Sequence, residues 1–247
     1  MPQGWTEIWL WVAFIGMVIG VVILGIRAIA HRHREGMEFS MVSFFVCLWA
    51  ACMYLSMALG HTITLAGGQE VYWGRYLDWI VTTPLLLLDL GILAGARPKL
   101  IGAVIGADIF MIVTGVIASL TTPPEDYIWY IISCGAFVAL LWALYSEYTT
   151  TARSRDPKVN SLFSTLRNLL TVLWICYPIV WILGAQGIEI IGTAWEAFFY
   201  AVLDVTAKVI FGLILTSAGA TTLAKASNSD RMMRAAESYI QGYQGER

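Results

Sequence analysis

Hydrophobic residues in this chain form seven long runs, separated by short stretches that contain Gly, Pro or charged residues. About 20 residues at 1.5 Å each cross the hydrocarbon core of a bilayer, so each run is long enough to form a transmembrane helix. The pattern predicts an all-α membrane protein, a seven-transmembrane-helix bundle. The runs cover approximately residues 5–29, 39–62, 72–95, 99–121, 125–148, 162–184 and 193–220.

Composition supports the same class of protein. Of the 247 residues, 58% are hydrophobic and 13% are charged, against about 25% charged residues in a soluble domain. The net charge of -2 provides no basic surface for nucleic acid. All four cysteines lie in the apolar runs, where they are expected to pack as small side chains, and no metal site is predicted. We expect a transmembrane domain over residues 1–226 and a short polar cytoplasmic tail over 227–247.

Basic residues predict the orientation, because cytoplasmic loops retain Lys and Arg. Thirteen of the fifteen Lys and Arg residues lie near the ends of runs one, three and five or towards the carboxyl terminus. The amino terminus is therefore expected outside, the carboxyl terminus in the cytosol, and the protein in the plasma membrane with several spans. The two exceptions, Arg75 and Lys208, lie inside runs.

Lys208 is the first candidate for chemistry. It lies well inside the seventh run, where the uncharged amine is favoured, and such an amine condenses with aldehydes to form a Schiff base. Asp204 is four residues earlier on the same helical face and could neutralise a positive charge on that nitrogen. These two residues alone fit a covalent cofactor site and a purely structural ion pair equally well.

The third run carries further ionisable residues in "RYLDWIVTTPLLLLDL", residues 75–90. Asp78 and Thr82 share a helical face, and Asp89 lies about three turns, or about 16 Å, beyond Asp78 on nearly the same stripe. Asp78 is expected to stay ionised beside Arg75 and a positive charge, and Asp89, framed by leucines, is expected to keep a proton. One carboxyl on each side of a central nitrogen is the arrangement that a directional proton relay needs.

These residues resemble a known family. The stretches "RYLDWIVTTPLLLLDL", "GADIFMIVTG", "LRNLLTVLWICYPIVWILG" and "VLDVTAKVIFGLIL" are similar to the microbial rhodopsins, particularly the bacteriorhodopsin-like outward proton pumps. The resemblance implies all-trans retinal bound covalently to Lys208 as a protonated Schiff base, with Asp78 and Asp204 as counterions near Arg75. It also implies that Asp78 accepts the proton, with Thr82 as its hydrogen-bonding partner, and that Asp89 donates one from the cytoplasmic side.

The resemblance extends to the retinal pocket. Trp174, Tyr177 and Trp181 share one face of the sixth helix, a spacing that by itself is more typical of ordinary core packing. The resemblance implies that the pigment absorbs green light, because position 86 is a leucine. It also implies that Asp108 is the polar partner of Thr83. The residues implied to line the retinal are Tyr76, Trp79, Thr83, Leu86, Met111, Trp129, Tyr130, Ser133, Cys134, Trp174, Tyr177, Trp181 and Lys208.

The outer end departs from the family pattern. Bacteriorhodopsin has a pair of glutamates at its proton-release site, and the matching positions here are Gln186 and Glu196. Losing one carboxylate removes the coupling that holds a releasable proton, so the release group is open. Glu196 itself fits either this site or an exposed acid at a helix end.

Three functions are compatible with the sequence. The leading prediction is a light-driven outward proton pump, an ion transporter and not an enzyme, whose partners are retinal, the lipid bilayer, protons and internal water. The resemblance also implies a homo-oligomer, since trimers are common among relatives. The alternatives are a photosensory rhodopsin that signals through a membrane transducer, and a cofactor-free seven-helix transporter or receptor.

Overall fold

The structure, a computed structural model, describes residues 4–30 and 37–217. Within these ranges it contains seven helices that are long and apolar enough to span a membrane. Their bounds are α1 Trp5–Ala30, α2 Met37–Ala58, α3 Gly74–Ala94, α4 Pro98–Leu120, α5 Glu125–Arg153, α6 Pro157–Leu183 and α7 Thr193–Ser217. The predicted seven-helix membrane bundle is confirmed. The tail predicted over 227–247 lies outside the described residues, as does the end of the seventh predicted span.

Three helix boundaries differ from the prediction: α5 and α6 extend beyond their apolar runs, because polar residues can continue a helix, and α2 ends early. Helix α5 extends to Arg153 and α6 begins at Pro157, where the Asp156 carboxylate accepts a hydrogen bond from the Lys158 amide and caps the helix. Helix α2 ends at Ala58, short of the predicted residue 62. His61 lies in the turn that follows it.

A short hairpin joins α2 to α3, in the stretch that the sequence pattern assigned to a loop. Strand β1, Thr64–Ala66, pairs antiparallel with β2, Gln69–Val71, with Leu65 opposite Glu70. Gly67 and Gly68 form the turn with φ values of 59° and 86°. Two successive positive φ angles are what a tight two-residue hairpin requires, and glycine adopts them without steric cost. The hairpin places Glu70 next to the start of α3.

Helices α3 and α7 form the centre of the bundle. In the most apolar part of each, 56% of the residues are buried, against 11% in α5. These two central helices carry the ionisable residues that the sequence singled out. Helix α7 contains a π turn over Thr206–Ile210, so its backbone departs from regular α geometry at Lys208. Such turns widen a helix locally and are frequent at functional sites.

Close packing of α1 against its neighbours depends on a glycine. A β-carbon added at Gly20 would lie 2.8 Å from the Val209 side chain and 3.0 Å from the Cys47 sulfur. Gly106 on α4 provides a contrast, because a β-carbon there would meet nothing within 4 Å. Steric freedom therefore differs sharply between two helical glycines.

We expect Gly20→Leu to lower the free energy of unfolding by about 1–3 kcal/mol, the usual cost of overpacking a filled interior. Thermal unfolding in detergent, followed by circular dichroism, measures the effect. Gly106→Leu is the matched control and should change stability little. Equal destabilisation by both substitutions would contradict the packing described for α1.

Candidate functional site

Lys208 lies at the centre of the bundle between two carboxylates. Its side chain is 2% exposed, and its Nζ lies 2.8 Å from Asp78 Oδ2 and 2.6 Å from Asp204 Oδ1. Asp204 is one turn earlier on α7, whereas Asp78 is on α3, so the cluster joins the two central helices. A buried charge is tolerated only when it is paired, and here one cation faces two anions.

Asp204 is held by several donors at once. Its Oδ2 accepts a hydrogen bond from the Tyr54 hydroxyl at 2.6 Å, and its Oδ1 accepts from the Tyr177 hydroxyl at 2.7 Å and from Trp79 Nε1 at 3.1 Å. With Lys208, four side chains from four helices converge on this carboxylate. The arrangement stabilises the anion and fixes its position.

Asp78 has a different environment. Its carboxylate lies against Lys208, and the Thr82 hydroxyl donates to the Asp78 backbone carbonyl at 2.9 Å. Thr82 is therefore adjacent to Asp78 on α3, but its hydroxyl bonds the peptide oxygen and not the carboxylate. Fewer side-chain donors therefore contact the Asp78 carboxylate than contact that of Asp204.

Asp89 is buried in the interior of the bundle, farther along α3 than Asp78. It is 0% exposed, and neither carboxylate oxygen accepts a hydrogen bond from the residues that the structure describes. The neighbouring leucines Leu86, Leu87 and Leu90 belong to the largest apolar cluster of the protein. An unpaired charge is costly in such surroundings.

Arg75 pairs with Glu196, and no ion pair joins it to Asp78 in the part of the chain that the structure describes. Its Nη1 lies 2.6 Å from Glu196 Oε1, and its guanidinium carbon lies 4.5 Å from the centre of the Tyr200 ring. Glu196 is 2% exposed, so the alternative of an exposed acid at a helix end is wrong. The side-chain amide of Gln186 donates to the Glu70 backbone carbonyl at 3.3 Å.

An elongated cavity lies between the helices, with Lys208 in its wall. Twelve of the thirteen residues predicted to line it do so. Trp129 is the exception: it lies about 100° around α5 from Tyr130, off the face that Tyr130, Cys134 and Phe137 present to the cavity. Eight further residues line the cavity and were not predicted to do so, although Asp204 was predicted as a counterion. They are Ile112, Gly115, Ala118, Phe137, Pro178, Tyr200, Asp204 and Ala207.

Helical spacing could have identified several of the missed residues. Tyr200, Asp204 and Ala207 lie four and seven residues apart on the Lys208 face of α7. Ser119 had no such signal. Its hydroxyl forms hydrogen bonds with the Tyr76 hydroxyl and with Trp181 Nε1, the latter at 2.7 Å, and so connects two cavity walls. Only the packing of α4 against α3 and α6 reveals that contact.

Aromatic rings define the shape of the cavity. Tyr130 and Trp181 stack with their ring centres 4.6 Å apart, and Trp79 meets Tyr177 edge to face at 5.1 Å. Across the next helix pair, the Thr83 hydroxyl donates to Asp108 Oδ2 at 2.6 Å. The result is a rigid apolar cavity with a paired primary amine in its wall, which is suited to a long apolar molecule that carries an aldehyde.

Fold and site together define a multi-pass membrane protein with a buried lysine beside an aromatic cavity. The family described as bacteriorhodopsin-like protein matches residues 4–222. The chain belongs to this family, the type 1 or microbial rhodopsins. Members bind retinal in a lipid environment and are light-driven transporters, not conventional enzymes.

Individual relatives agree with this assignment. The chain is 46% identical over 218 residues to bacteriorhodopsin from Haloterrigena sp. (strain arg-4), covering 86% of this chain and 87% of that protein. The crystal structure of cyanorhodopsin from Calothrix sp. NIES-2098 is 59% identical, with a TM-score of 0.89 over 92% of this chain and 100% of that one. The light-driven proton pump LR (Mac) from Leptosphaeria maculans is 33% identical, with a TM-score of 0.83 over 90% of this chain and 96% of that one.

The residues present fit retinal. The cavity wall combines the amine of Lys208 with the aromatic faces of Trp79, Trp174 and Trp181. Polar groups are concentrated where Lys208 meets Asp78 and Asp204, and the remaining wall is predominantly apolar. A polyene aldehyde has the same division between one reactive polar end and a long apolar body.

We expect Tyr54→Phe to lower the free energy of unfolding by about 1.5–3 kcal/mol, because it removes a buried hydrogen bond to an ionised group. Thermal unfolding in detergent measures the loss. Tyr145→Phe removes an exposed hydroxyl that donates to Asn168 at 3.1 Å and is the matched control. A smaller effect for Tyr54 than for Tyr145 would contradict the role of Tyr54 in holding Asp204.

Proposed function

We propose that this protein is a light-driven pump that carries protons out of the cell, with all-trans retinal bound to Lys208 as a protonated Schiff base. The observation that carries the proposal is the position of the Lys208 nitrogen, 2.8 Å from Asp78, with a second buried and unpaired acid, Asp89, farther along the same helix. The central nitrogen thus has one carboxyl towards each end of α3.

Asp78 is the proposed proton acceptor. When bound, retinal supplies the absorption of light and a change of shape that alters how strongly the attached nitrogen holds its proton. Asp78 Oδ2 is close enough to that nitrogen to take the proton directly. Asp204, held by Tyr54, Tyr177 and Trp79, is the counterion that remains charged.

Asp89 is the proposed donor. An acid that holds its proton in apolar surroundings can return it to the Lys208 nitrogen after Asp78 has accepted one. The apolar cluster around Asp89 also separates the nitrogen from water on that side. A proton can therefore leave towards Asp78 more easily than it can return from the opposite side, which makes transport directional.

Positive charge supports an outward direction. The end of α3 beyond Asp89 leads into Arg97 and Lys99. On the same side, the loop between α5 and α6 contains Arg155, and Lys158 lies in the first turn of α6. Cytoplasmic loops carry such an excess. We infer that the amino terminus is outside, that Asp89 faces the cytoplasm, and that the plasma membrane is the site of action.

A light-induced pH measurement tests the function. Illuminated cells that contain the retinal-loaded protein are expected to acidify the medium, and a protonophore should abolish the signal. Lys208→Ala is the control, because it removes the attachment point and should give neither a covalent chromophore nor a pH change. External alkalinisation that a protonophore enhances would mean that another ion is transported.

Substitution of the two carboxylates should affect different steps. We expect Asp78→Asn to reduce pumping by at least about 100-fold, since it removes the acceptor. Asp89→Asn should leave proton loss from the Lys208 nitrogen fast and slow its reprotonation by about 100-fold. With the donor removed, reprotonation should also slow by about tenfold per pH unit, because protons then come from bulk water.

Flash photolysis between pH 6 and 8 measures both steps. Asp108→Asn is the matched control, since Asp108 is buried but bonds Thr83 and not the central cluster. Reprotonation of Asp89→Asn that is fast and independent of pH would exclude Asp89 as the donor.

A further inference from the structure

The outer end of the proposed pathway lacks one acid of the bacteriorhodopsin pair. The remaining acid, Glu196, has a donor on each of its two carboxylate oxygens. Glu196 Oε1 lies 2.6 Å from the Arg75 guanidinium, and Oε2 accepts a hydrogen bond from the Ala185 amide at 3.2 Å. Gln186, at the other position of the pair, carries an amide, which cannot take up and release a proton in the physiological pH range.

Another acid, Glu70, lies farther out and is connected to Arg75 through Tyr72. The guanidinium carbon of Arg75 is 5.0 Å from the centre of the Tyr72 ring. Tyr72 is 3% exposed, and its hydroxyl donates to Glu70 Oε2 at 2.8 Å. Glu70 is partly exposed on β2. The contacts therefore continue from Glu196 through Arg75 and Tyr72 to a carboxylate at the protein surface.

The hairpin holds this carboxylate in place. Gln186 donates its side-chain amide to the Glu70 backbone carbonyl, and Gln69 Nε2 donates to Glu189 Oε1 at 3.2 Å. The residue that replaced an acid thus anchors the strand that carries another one. Burial and the hydrogen bond to Glu70 raise the pKa of the Tyr72 phenol above its ordinary range, so Tyr72 remains a neutral hydroxyl donor.

We propose that Glu70, held by the Tyr72 hydroxyl, is the group from which the transported proton leaves to the outer solution. This inference rests on the proposed outward pumping. A hydronium ion in the internal water of the pathway gives a proton to the Tyr72 oxygen and becomes water, and in the same step the proton already on that oxygen passes to Glu70 Oε2. The phenol is thereby restored, and Glu70 then gives its proton to bulk water and returns to the carboxylate.

Time-resolved proton release tests the assignment. The retinal-loaded protein in lipid nanodiscs is flashed in the presence of the pH-sensitive dye pyranine, and the appearance of protons is compared with proton loss from the Lys208 nitrogen. Glu70→Gln is expected to delay proton appearance by at least about tenfold, less than the full effect of a positioned acid because water offers a slower route. Proton loss from Lys208 should keep its rate.

Companion variants separate chemistry from structure. Glu70→Asp restores a carboxylate and should return the release time towards the wild-type value, and Tyr72→Phe should delay release in the same direction as Glu70→Gln. Glu189→Gln removes the charge of an exposed acid but keeps a side-chain oxygen that can accept from Gln69, so the hairpin stays anchored and release should keep its wild-type time. All variants are compared at equal visible absorbance, so that only folded, retinal-bound protein is counted.

The outcomes separate this inference from the pump itself. Release at the wild-type time in Glu70→Gln, or an equal delay in Glu189→Gln, would overturn the role of Glu70 while leaving the pump intact. A wild-type protein that does not acidify the medium in steady light would overturn the proposed function instead. Delay in Glu70→Gln together with rescue by Glu70→Asp supports Glu70 as the release group.

Discussion

The structure depends on one buried cation that faces two anions. The Lys208 nitrogen, 2.6 Å from Asp204 and 2.8 Å from Asp78, is removed from solvent at the contact between the two central helices. Burial makes each of these charges intolerable without the others, so helix packing, the π turn at Lys208 and the donors around Asp204 are all constrained by this contact. The excess negative charge also places a second carboxylate next to the nitrogen, at Asp78.

The two anions are made unequal by their surroundings. Tyr54, Trp79 and Tyr177 direct their hydrogen bonds to Asp204, whereas the nearby Thr82 hydroxyl bonds a backbone oxygen. A carboxylate with many donors is a stable charge, and one with few donors is a better base. The same principle separates the two ends of the bundle: hydrogen bonds connect the end with Arg75 and Glu196, and apolar packing isolates Asp89.

The hairpin between α2 and α3 adds a polar element to the outer end. Glu70, Tyr72 and Arg75 follow one another in sequence, yet their mutual contacts depend on the turn at Gly67 and Gly68 and on Gln186 from the opposite loop. With Gln186 in place of an acid, the proposed release of a proton uses Glu70 instead. Gln186 contributes to it by fixing strand β2, which carries Glu70.

The sequence by itself determined the environment, the seven spans and the candidate residues Lys208, Asp78 and Asp89, because hydropathy and helical periodicity are local properties. The family resemblance, and not periodicity, implied the cavity residues, and twelve of those thirteen line the cavity. The sequence could not determine that Arg75 pairs with Glu196, that Glu196 is buried, or that Ser119 joins Tyr76 to Trp181. Those contacts join residues far apart in the chain, and only the packing of one helix against another decides which side chains meet.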